Sequence, residues 1–171
     1  MPNPHPARDS LAFVIMGVAG SGKTTIGQRL ARELGWSFRD ADDFHPAANI
    51  AKMTAGEPLT DADRAPWLAA IREHLATCLA RGENTIVTCS ALKEDYRREL
   101  QVDPVRVKLV HLAGDFALIQ RRLKARQGHF MKPAMLESQF ATLEPPRDAL
   151  TVDISDPPAL VVAKIRRIFG V

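Results

Sequence analysis

A glycine-rich stretch of eight residues constrains this chain more than any other feature. It connects an apolar run, LAFVIM at 11–16, to an amphipathic helical pattern at 24–35. The stretch itself, 17–24, reads GVAGSGKT and matches G-x-x-x-x-G-K-[ST]. This motif binds phosphate when it joins a strand to a helix, and the flanking patterns predict that context. The sequence therefore predicts a site for the phosphates of a nucleotide.

The residue types of this stretch fit phosphate chemistry. Glycines allow successive backbone N–H groups to turn toward phosphate oxygens, and the start of the helix adds partial positive charge. We expect the ammonium group of Lys23 to contact the β- and γ-phosphates and the hydroxyl of Thr24 to ligate Mg²⁺. The expected ATP-binding residues here are Gly17, Val18, Ala19, Gly20, Ser21, Gly22, Lys23, Thr24 and Thr25. A glycine-rich turn without a ligand is the alternative, and it would not require the lysine and the threonine.

Apolar runs and helical patterns alternate along the rest of the chain. The predicted strands are 11–16, 36–40, 84–90, 105–112 and 149–155, and the predicted helices are 24–35, 61–82, 94–100, 116–126, 133–144 and 157–168. Buried-type strands separated by helices are typical of α/β proteins with a parallel sheet. We expect a three-layer α/β fold with a central, mainly five-stranded parallel sheet and helices on both faces. One domain should cover 11–171, after a flexible tail at 1–10. In the long helix, Pro66 fits the first turn if Asp63 is the N-cap.

Composition argues against several classes of function. The 171 residues include 23 Lys and Arg against 20 Asp and Glu, and like charges form no run. A nucleic-acid partner is therefore not expected. No apolar stretch reaches the roughly 20 residues that a membrane span needs. Cys78 and Cys89 lack metal-ligand spacing and are typical of buried thiols in a reducing compartment, which favours a cytoplasmic protein.

An acidic cluster follows the second predicted strand. In many proteins with this phosphate-binding motif, an Asp at the end of another core strand supports the magnesium ion. Here the third predicted strand ends in Cys89 and Ser90, so the carboxylate must come from elsewhere. In an extended segment Asp40 and Asp42 point to the same side. We expect both to face the metal–nucleotide complex, and acids of a solvated turn are the alternative.

Five segments together carry a resemblance to a known family. They are MGVAGSGKTT, DADDFHPAANIAKMTAGEPLTDADRAPWL, CSALKEDYRREL, RLKARQGHFM and LESQFATLEPP. From about residue 11 to its end, the chain resembles gluconokinases of the small P-loop kinase type, which are relatives of shikimate kinase. The resemblance implies a P-loop kinase fold with a mobile lid at about 123–134. It also implies a homodimer that phosphorylates D-gluconate to 6-phospho-D-gluconate, with ATP and Mg²⁺ as cofactors.

The same resemblance assigns roles to the acidic cluster and its neighbours. Asp40 would hold magnesium through water, and Asp42 would orient and deprotonate the attacking hydroxyl. His45 would bind a sugar hydroxyl as a neutral imidazole, and a capping or core histidine is the alternative. Lys52 and Arg64 are the nearest cations for the gluconate carboxylate. Arg64 is favoured because a guanidinium binds a carboxylate through two hydrogen bonds, although an ion pair with a neighbouring aspartate is also open.

Later segments supply the remaining expected site residues. Ser90 would line the sugar chain or cap a helix, and we expect Lys93 nearer the phosphates. Arg122 and Arg126 resemble lid arginines, of which one packs on adenine and the other stabilises the transferring phosphate. The expected acceptor-binding residues are Asp42, His45, Lys52, Arg64, Ser90, His129 and Gln139, and the expected catalytic residues are Lys23, Asp42 and Arg126.

Two other functions stay open on the sequence. Another small-acceptor kinase, acting on shikimate or on a nucleoside monophosphate, would share the phosphate loop. The His-Pro pair after the acids and the PLTDADRAPWL segment argue against it. A non-catalytic nucleotide-binding switch would need neither a catalytic base nor lid arginines.

Overall fold

A five-stranded parallel sheet forms the centre of the computed structural model, which describes residues 10–126 and 133–171. Its strands are β1 (Ala12–Met16), β2 (Ser37–Asp40), β3 (Thr85–Thr88), β4 (Val107–Ala113) and β5 (Leu150–Asp153), and their order in the sheet is β2-β3-β1-β4-β5. Every residue of β1 is buried, as expected for a strand covered on both faces. The predicted parallel sheet is confirmed.

Helices cover both faces of this sheet. The part of the chain that the structure describes contains α1 (Lys23–Leu34), α2 (Ala47–Thr54), α3 (Asp61–Ala80), α4 (Glu94–Leu100), α5 (Phe116–Ala125), α6 (Pro133–Thr142) and α7 (Pro158–Phe169), with a short 3-10 helix at Ala41–Phe44. Helices α1 and α7 pack on the face that carries Phe13 and Ile15. Helices α3 and α4 pack on the opposite face, around Val14 and Met16. The three-layer α/β architecture is therefore confirmed.

Glycine allows α1 to approach the sheet closely. A Cβ atom at Gly27 would lie 2.8 Å from the ring of Phe38 in β2 and 2.8 Å from the methyl group of Thr88 in β3. A larger residue would push the helix away from the strand ends. This close packing places the start of α1 beside the end of β2, where the acidic cluster begins.

The N-terminus of α3 differs from the predicted one. The Thr60 hydroxyl accepts a hydrogen bond from the Asp63 N–H at 3.1 Å, and the Asp63 carboxylate accepts one from the Thr60 N–H at 2.9 Å. This reciprocal pair is a capping box with Thr60 as N-cap. The prediction of Asp63 as N-cap was wrong. Pro66 consequently lies inside the helix, where its ring nitrogen has no proton to donate.

Two elements after β2 were not predicted. Asp40 ends β2 and its side chain accepts a hydrogen bond from the Asp42 N–H at 3.0 Å, which starts the 3-10 helix. Asp42 therefore lies in a helical turn, and the assumption of an extended segment there was wrong. Helix α2 follows, with Ile50 and Met53 exposed.

The predicted tail and lid lie mostly outside the described residues. Of the tail at 1–10, only Ser10 is described, and its buried hydroxyl donates to the carbonyl of Leu79 at 3.4 Å. The central part of the lid, 127–132, is outside the described residues, so the lid stays a prediction. Across 10–126 and 133–171, none of the helices combines the length and the apolar character needed to span a membrane.

Candidate active site

The predicted phosphate loop lies between the end of β1 and the start of α1. Gly20 has a φ of +77°, and a Cβ atom there would lie 2.7 Å from the side chain of Leu123 in α5. Glycine is therefore required at this position by both its backbone conformation and the space available. Gly22 is the N-cap of α1 with a φ of +92°. The backbone N–H groups at this helix start form the expected binding geometry for an anion.

The side chain of Lys23 folds back onto this loop. Its Nζ atom donates to the carbonyls of Gly17 and Val18, each at 3.0 Å. Burial lowers the pKa of Lys23, and the nearby Cys89, Asp42 and Asp40 oppose that shift. Neutral carbonyls leave the positive charge of the ammonium group uncompensated, which suits it to a phosphate.

A cavity of about 320 Å³ opens on the other side of the loop. It is lined by Gly20, Ser21, Gly22, Thr25, Ile26, Arg122, Arg126, Ile154, Asp156, Pro158 and Val161. Its size lies in the range of small-molecule sites. Arg122 also donates to the carbonyl of Ile154, which fixes its guanidinium at the cavity wall. The structure thus brings both expected lid arginines to the phosphate loop, beside apolar side chains suited to a nucleotide base.

Oxygen atoms suited to magnesium lie at the start of α1. The Thr24 hydroxyl donates to Oδ2 of Asp40 at 3.3 Å. Thr88, which is aligned with Asp40 across β2 and β3, has a buried hydroxyl with no hydrogen-bond partner among the described residues. Hydroxyl and carboxylate oxygens are ligands that Mg²⁺ prefers, and Mg²⁺ usually keeps several waters as well. The residues present therefore fit a hydrated magnesium ion.

His45 is held in a defined orientation beside Asp42. Its ring stacks on Trp67 with centroids 4.5 Å apart, and its side chain is only 5% exposed. The Asn49 amide nitrogen lies 3.3 Å from Nδ1, which makes Nδ1 the acceptor and assigns the proton to Nε2. Nε2 lies 3.9 Å from Oδ1 of Asp42. Burial lowers the pKa of His45, which favours the neutral form of the imidazole.

The carboxyl group of Asp42 is electrostatically perturbed. Partial desolvation by the surrounding chain and repulsion from Asp40 raise its pKa, while His45 and Lys23 oppose the shift. A carboxylate with a raised pKa is a stronger proton acceptor than an ordinary one. The Asp42 side chain is nevertheless 86% exposed, so an acceptor hydroxyl could reach its carboxylate from solvent.

The two predicted carboxylate-binding cations have different surroundings. Nζ of Lys52 lies 2.7 Å from Oδ2 of Asp63. Hydrogen bonds from Lys52 and from the Thr60 backbone lower the pKa of Asp63 to about 2. Nη1 of Arg64 lies 3.8 Å from Oδ1 of Asp61 and 3.5 Å from the hydroxyl of Tyr96. Lys52 is thus tied into the start of α3, whereas Arg64 has a longer and looser ion pair.

Other predicted residues lie in several places. Lys93 pairs with Asp61 at 3.3 Å, and its expected position nearer the phosphates stays a prediction. The Ser90 carbonyl accepts the Gly17 N–H at 3.3 Å, so this residue adjoins the phosphate loop. The side chain of Gln139 accepts the Ala19 N–H at 2.6 Å. His129 lies outside the described residues.

Comparisons with known proteins decide the family. A family model described as an AAA domain matches residues 13–146. A gluconokinase from Gluconobacter oxydans (strain 621H) is 48% identical over 136 residues, which are 80% of this chain and 76% of that protein. The thermoresistant gluconokinase of Escherichia coli (strain K12) is 43% identical over 159 residues, 91% of each chain. The chain belongs to the gluconokinase family.

Solved structures agree with this assignment. A gluconokinase from Sinorhizobium meliloti 1021 superposes with a TM-score of 0.81 at 39% identity, covering 94% of this chain and 95% of that one. A shikimate kinase from Aquifex aeolicus is 18% identical with a TM-score of 0.57, a likeness that concerns the fold alone. Membership in the gluconokinase family confirms the resemblance found in the sequence. It also makes the protein a P-loop kinase that uses a nucleotide and a small-molecule acceptor.

Two residues that hold His45 in place were missed in the sequence. Asn49 orients His45 and also donates to the carbonyl of Asp63 at 2.9 Å. Trp67 stacks on His45 and donates through Nε1 to the carbonyl of Ala41 at 2.7 Å. The available signal for Asn49 was its spacing of four from His45. Because α2 was not predicted, this spacing could not be read as a contact between the two side chains.

Proposed function

We propose that the protein transfers the γ-phosphate of ATP to the 6-hydroxyl of D-gluconate and produces 6-phospho-D-gluconate. The observation that carries this proposal is a line of side chains from Lys23 through Asp42 and His45 to Arg64. Lys23 and Asp42 influence each other's pKa, and Nε2 of His45 lies 3.9 Å from Asp42. Arg64 in turn contributes to lowering the pKa of His45, after burial. These couplings and the His45–Asp42 distance support an order of groups from the phosphate loop to the Arg64 guanidinium.

This order of groups matches the chemistry of gluconate. A hydroxyl stands at one end of its carbon chain, hydroxyls follow along it, and a carboxylate stands at the other end. The 6-hydroxyl would lie at Asp42, the middle hydroxyls at His45, and the carboxylate at Arg64. Shikimate is a compact ring and a nucleoside monophosphate carries a dianionic phosphate, so neither fits this order as well.

The nucleotide would bind with its phosphates on the loop at 17–24 and its base in the neighbouring cavity. Lys23 and Arg126 would stabilise the negative charge that spreads over the transferring phosphate. Thr24, with Asp40 through water, would hold Mg²⁺, which neutralises charge on the phosphate oxygens when bound. Arg122 lines the base cavity and is suited to packing on adenine.

Asp42 would orient the acceptor hydroxyl and remove its proton as the phosphoryl group arrives. General-base assistance of this kind contributes about 10²–10⁴-fold, and positioning together with charge stabilisation supplies the rest. The Nε2–H of His45 would donate to an acceptor hydroxyl. Neutral imidazole suits this role because it adds a donor beside Asp42 without lowering the basicity of that carboxylate as a cation would.

An acceptor panel tests the proposal directly. ADP release by the purified protein should require D-gluconate and should be slow with D-glucose, shikimate and nucleoside monophosphates. Glucose lacks the carboxylate and would leave the Arg64 guanidinium without its partner. Arg64→Lys should raise the KM for gluconate about 10-fold and leave the KM for ATP nearly unchanged, since lysine lacks the planar fork.

Several outcomes would reject the proposed activity. Equal turnover of glucose and gluconate would remove the carboxylate from acceptor recognition. ATP hydrolysis without any acceptor would favour the nucleotide-binding switch instead.

A homodimer and a cytoplasmic location stay predictions, to be checked by sedimentation analysis and by fractionation of cells. Roles for Lys52, Ser90, His129 and Gln139 in acceptor binding also stay predictions.

A further inference from the structure

Three hydrogen-bond donors meet at one carboxylate oxygen beside the proposed acceptor site. Oδ1 of Asp61 accepts a short hydrogen bond from the Tyr96 hydroxyl and lies 3.3 Å from Nζ of Lys93. Nη1 of Arg64 lies 3.8 Å from the same oxygen and 3.5 Å from the Tyr96 hydroxyl. The donors come from the start of α3 and the start of α4, so Asp61 joins two elements. We call Asp61, Arg64, Lys93 and Tyr96 the carboxylate cluster.

Helix capping does not account for the position of Asp61. Asp61 is the first residue of α3, but Thr60 and Asp63 form the capping box that satisfies the first amides of the helix. The Asp61 side chain instead reaches across to α4, where hydrogen bonds from Tyr96 and Lys93 lower its pKa. The carboxylate therefore stays charged at any pH at which the enzyme would work.

The charges of the cluster do not balance. Arg64 and Lys93 contribute two positive charges against the single negative charge of Asp61, which leaves one in excess. Both cations are partly sheltered, with side chains 33% and 37% exposed, whereas the Asp61 side chain is 71% exposed. By contrast, Lys52 and Asp63 form a one-to-one pair at 2.7 Å. The cluster can thus accept a second carboxylate, or exchange Asp61 for one arriving from solvent.

We propose that Arg64, Lys93 and Tyr96 form a three-donor site for the carboxylate of the acceptor, and that Asp61 fills this site until the acceptor arrives. This inference rests on the proposed function and adds two specificity residues and an internal competitor to it. An exchange of carboxylates keeps the sheltered cations paired in both states. A neutral polyol cannot make this exchange, because it would leave the sheltered Arg64 and Lys93 without a carboxylate partner.

Asp61 has a cost and a benefit in this arrangement. It competes with the acceptor, so it weakens binding of gluconate. It also holds the three donors together in the empty enzyme, and it excludes acceptors that lack a carboxylate. Specificity gained at the expense of affinity is expected where a site must reject abundant neutral sugars.

Steady-state kinetics, with each substrate varied in turn while the other is saturating, tests the inference. Lys93→Met and Tyr96→Phe should each raise the KM for D-gluconate about 5-fold or more without changing the KM for ATP. Asp61→Asn should lower the KM for gluconate about 3-fold, because it removes the competing charge and keeps the shape. Arg98→Met is the matched control on α4, since Arg98 pairs with Glu94 at 2.8 Å outside the cluster. It should leave both KM values unchanged.

A neutral acceptor separates the carboxylate role from a general effect. D-Glucitol presents similar hydroxyls without the carboxylate, so Lys93→Met should leave its low kcat/KM unchanged. Asp61→Asn should stay folded, because the capping box remains, and Asp61→Ser provides a second variant if thermal unfolding shows otherwise.

The results distinguish failure of this inference from failure of the proposed function. If the wild-type enzyme does not phosphorylate gluconate, the function itself is wrong, and the cluster inference is overturned with it. If gluconate is phosphorylated but Lys93→Met and Tyr96→Phe keep the wild-type KM, the three-donor site is overturned and the function stands. If Asp61→Asn raises the KM for gluconate, Asp61 positions the three donors and does not compete with the acceptor. That result would overturn the competitor role of Asp61.

Discussion

Asn49 connects three parts of the acceptor region through a single side chain. Its amide donates to the ring of His45 and to the carbonyl of Asp63, and Asp63 in turn pairs with Lys52. Asn49 itself is buried, so its two hydrogen bonds are partly shielded from water. The hydrogen bond from Asn49 therefore keeps His45 in one tautomer and one orientation.

Acid should weaken the start of α3 through Asp63. The pKa of this carboxyl is about 2 in the folded protein, below its ordinary value of 3.8. The stabilisation is therefore complete above about pH 4 and disappears as the pH falls toward 2. Asp63→Asn should lower the Tm at pH 6, and the difference from wild type should shrink between pH 4 and pH 2. Asp95→Asn, at a highly exposed position, is the control. A difference that stays constant down to pH 2 would contradict this assignment.

At the scale of elements, α6 and the turn after it join the phosphate loop to the loop after β3. Gln139 in α6 accepts the Ala19 N–H at 2.6 Å. Glu144, after the helix, donates its N–H to the Leu92 carbonyl at 2.9 Å and accepts the Glu94 N–H at 2.8 Å. Because α6 follows the expected lid in the chain, this connection links the lid region to both substrate sites.

Gln139→Leu distinguishes a loop-positioning role from the acceptor-binding role predicted in the sequence. Loss of the hydrogen bond to Ala19 should raise the KM for ATP about 3-fold or more and leave the KM for gluconate nearly unchanged. Initial-rate measurements with each substrate varied in turn make the comparison. Glu137→Gln, two residues earlier at an exposed position, is the control. A rise confined to the KM for gluconate would favour direct acceptor binding instead.

Arg97 is the most consequential residue for the stability of this connection. Its guanidinium is buried and donates to the carbonyls of Ala91, Leu92 and Glu144 at 2.8–3.0 Å. Arg97→Met would leave these carbonyls without their donor, so we expect a loss of about 3 kcal/mol in the free energy of unfolding. Urea unfolding measures it, and exposed Arg98→Met should change it by less than about 0.5 kcal/mol. Equal effects of the two variants would show that the carbonyls find other partners.

Local pattern and long-range contact explain what the sequence could predict. The phosphate loop, the strands and the approximate ends of most helices follow from residues close together in the chain. The acceptor region depends on distant pairs, such as Tyr96 with Asp61, which are 35 residues apart. Nothing in the local pattern around Lys93 indicates that it pairs with Asp61. The helical turn at Asp42 was missed because the extended segment was continued past Asp40, whose side chain caps this turn.

At the scale of the whole molecule, strand order separates the two substrates. The phosphate loop follows β1, which lies between β3 and β4. The base cavity includes Ile154 and Asp156, just beyond β5, whereas the acceptor residues follow β2 and β3. Ligands of parallel α/β sheets bind at the carboxyl ends of the strands, where such neighbouring loops diverge. With the proposed site residues, nucleotide and acceptor would therefore approach the phosphate loop from opposite directions.

Separate approaches predict separate stabilisation by each ligand. A non-hydrolysable ATP analogue and D-gluconate should each raise the Tm when added alone. A ligand at 100 times its Kd adds about 2.7 kcal/mol to the free energy of unfolding. Lys23→Ala should reduce the shift with the nucleotide and lower turnover at least about 100-fold, while it keeps most of the shift with gluconate. Arg64→Lys should reduce the Tm shift with gluconate and keep most of the shift with the nucleotide. Thermal unfolding measures all four combinations, and loss of both shifts in either variant would contradict independent sites.

The stacking of Trp67 on His45 gives the enzyme a built-in optical reporter. The chain contains two tryptophans, and the other, Trp36, packs against Phe13 in the core with ring centroids 5.0 Å apart. Replacing Trp36 with Phe keeps an aromatic ring there and leaves one indole, next to the acceptor residues. If gluconate binds at His45 as proposed, the emission of Trp67 should then change as gluconate arrives, without any added label. Rapid mixing of this variant would resolve the order in which the two substrates bind.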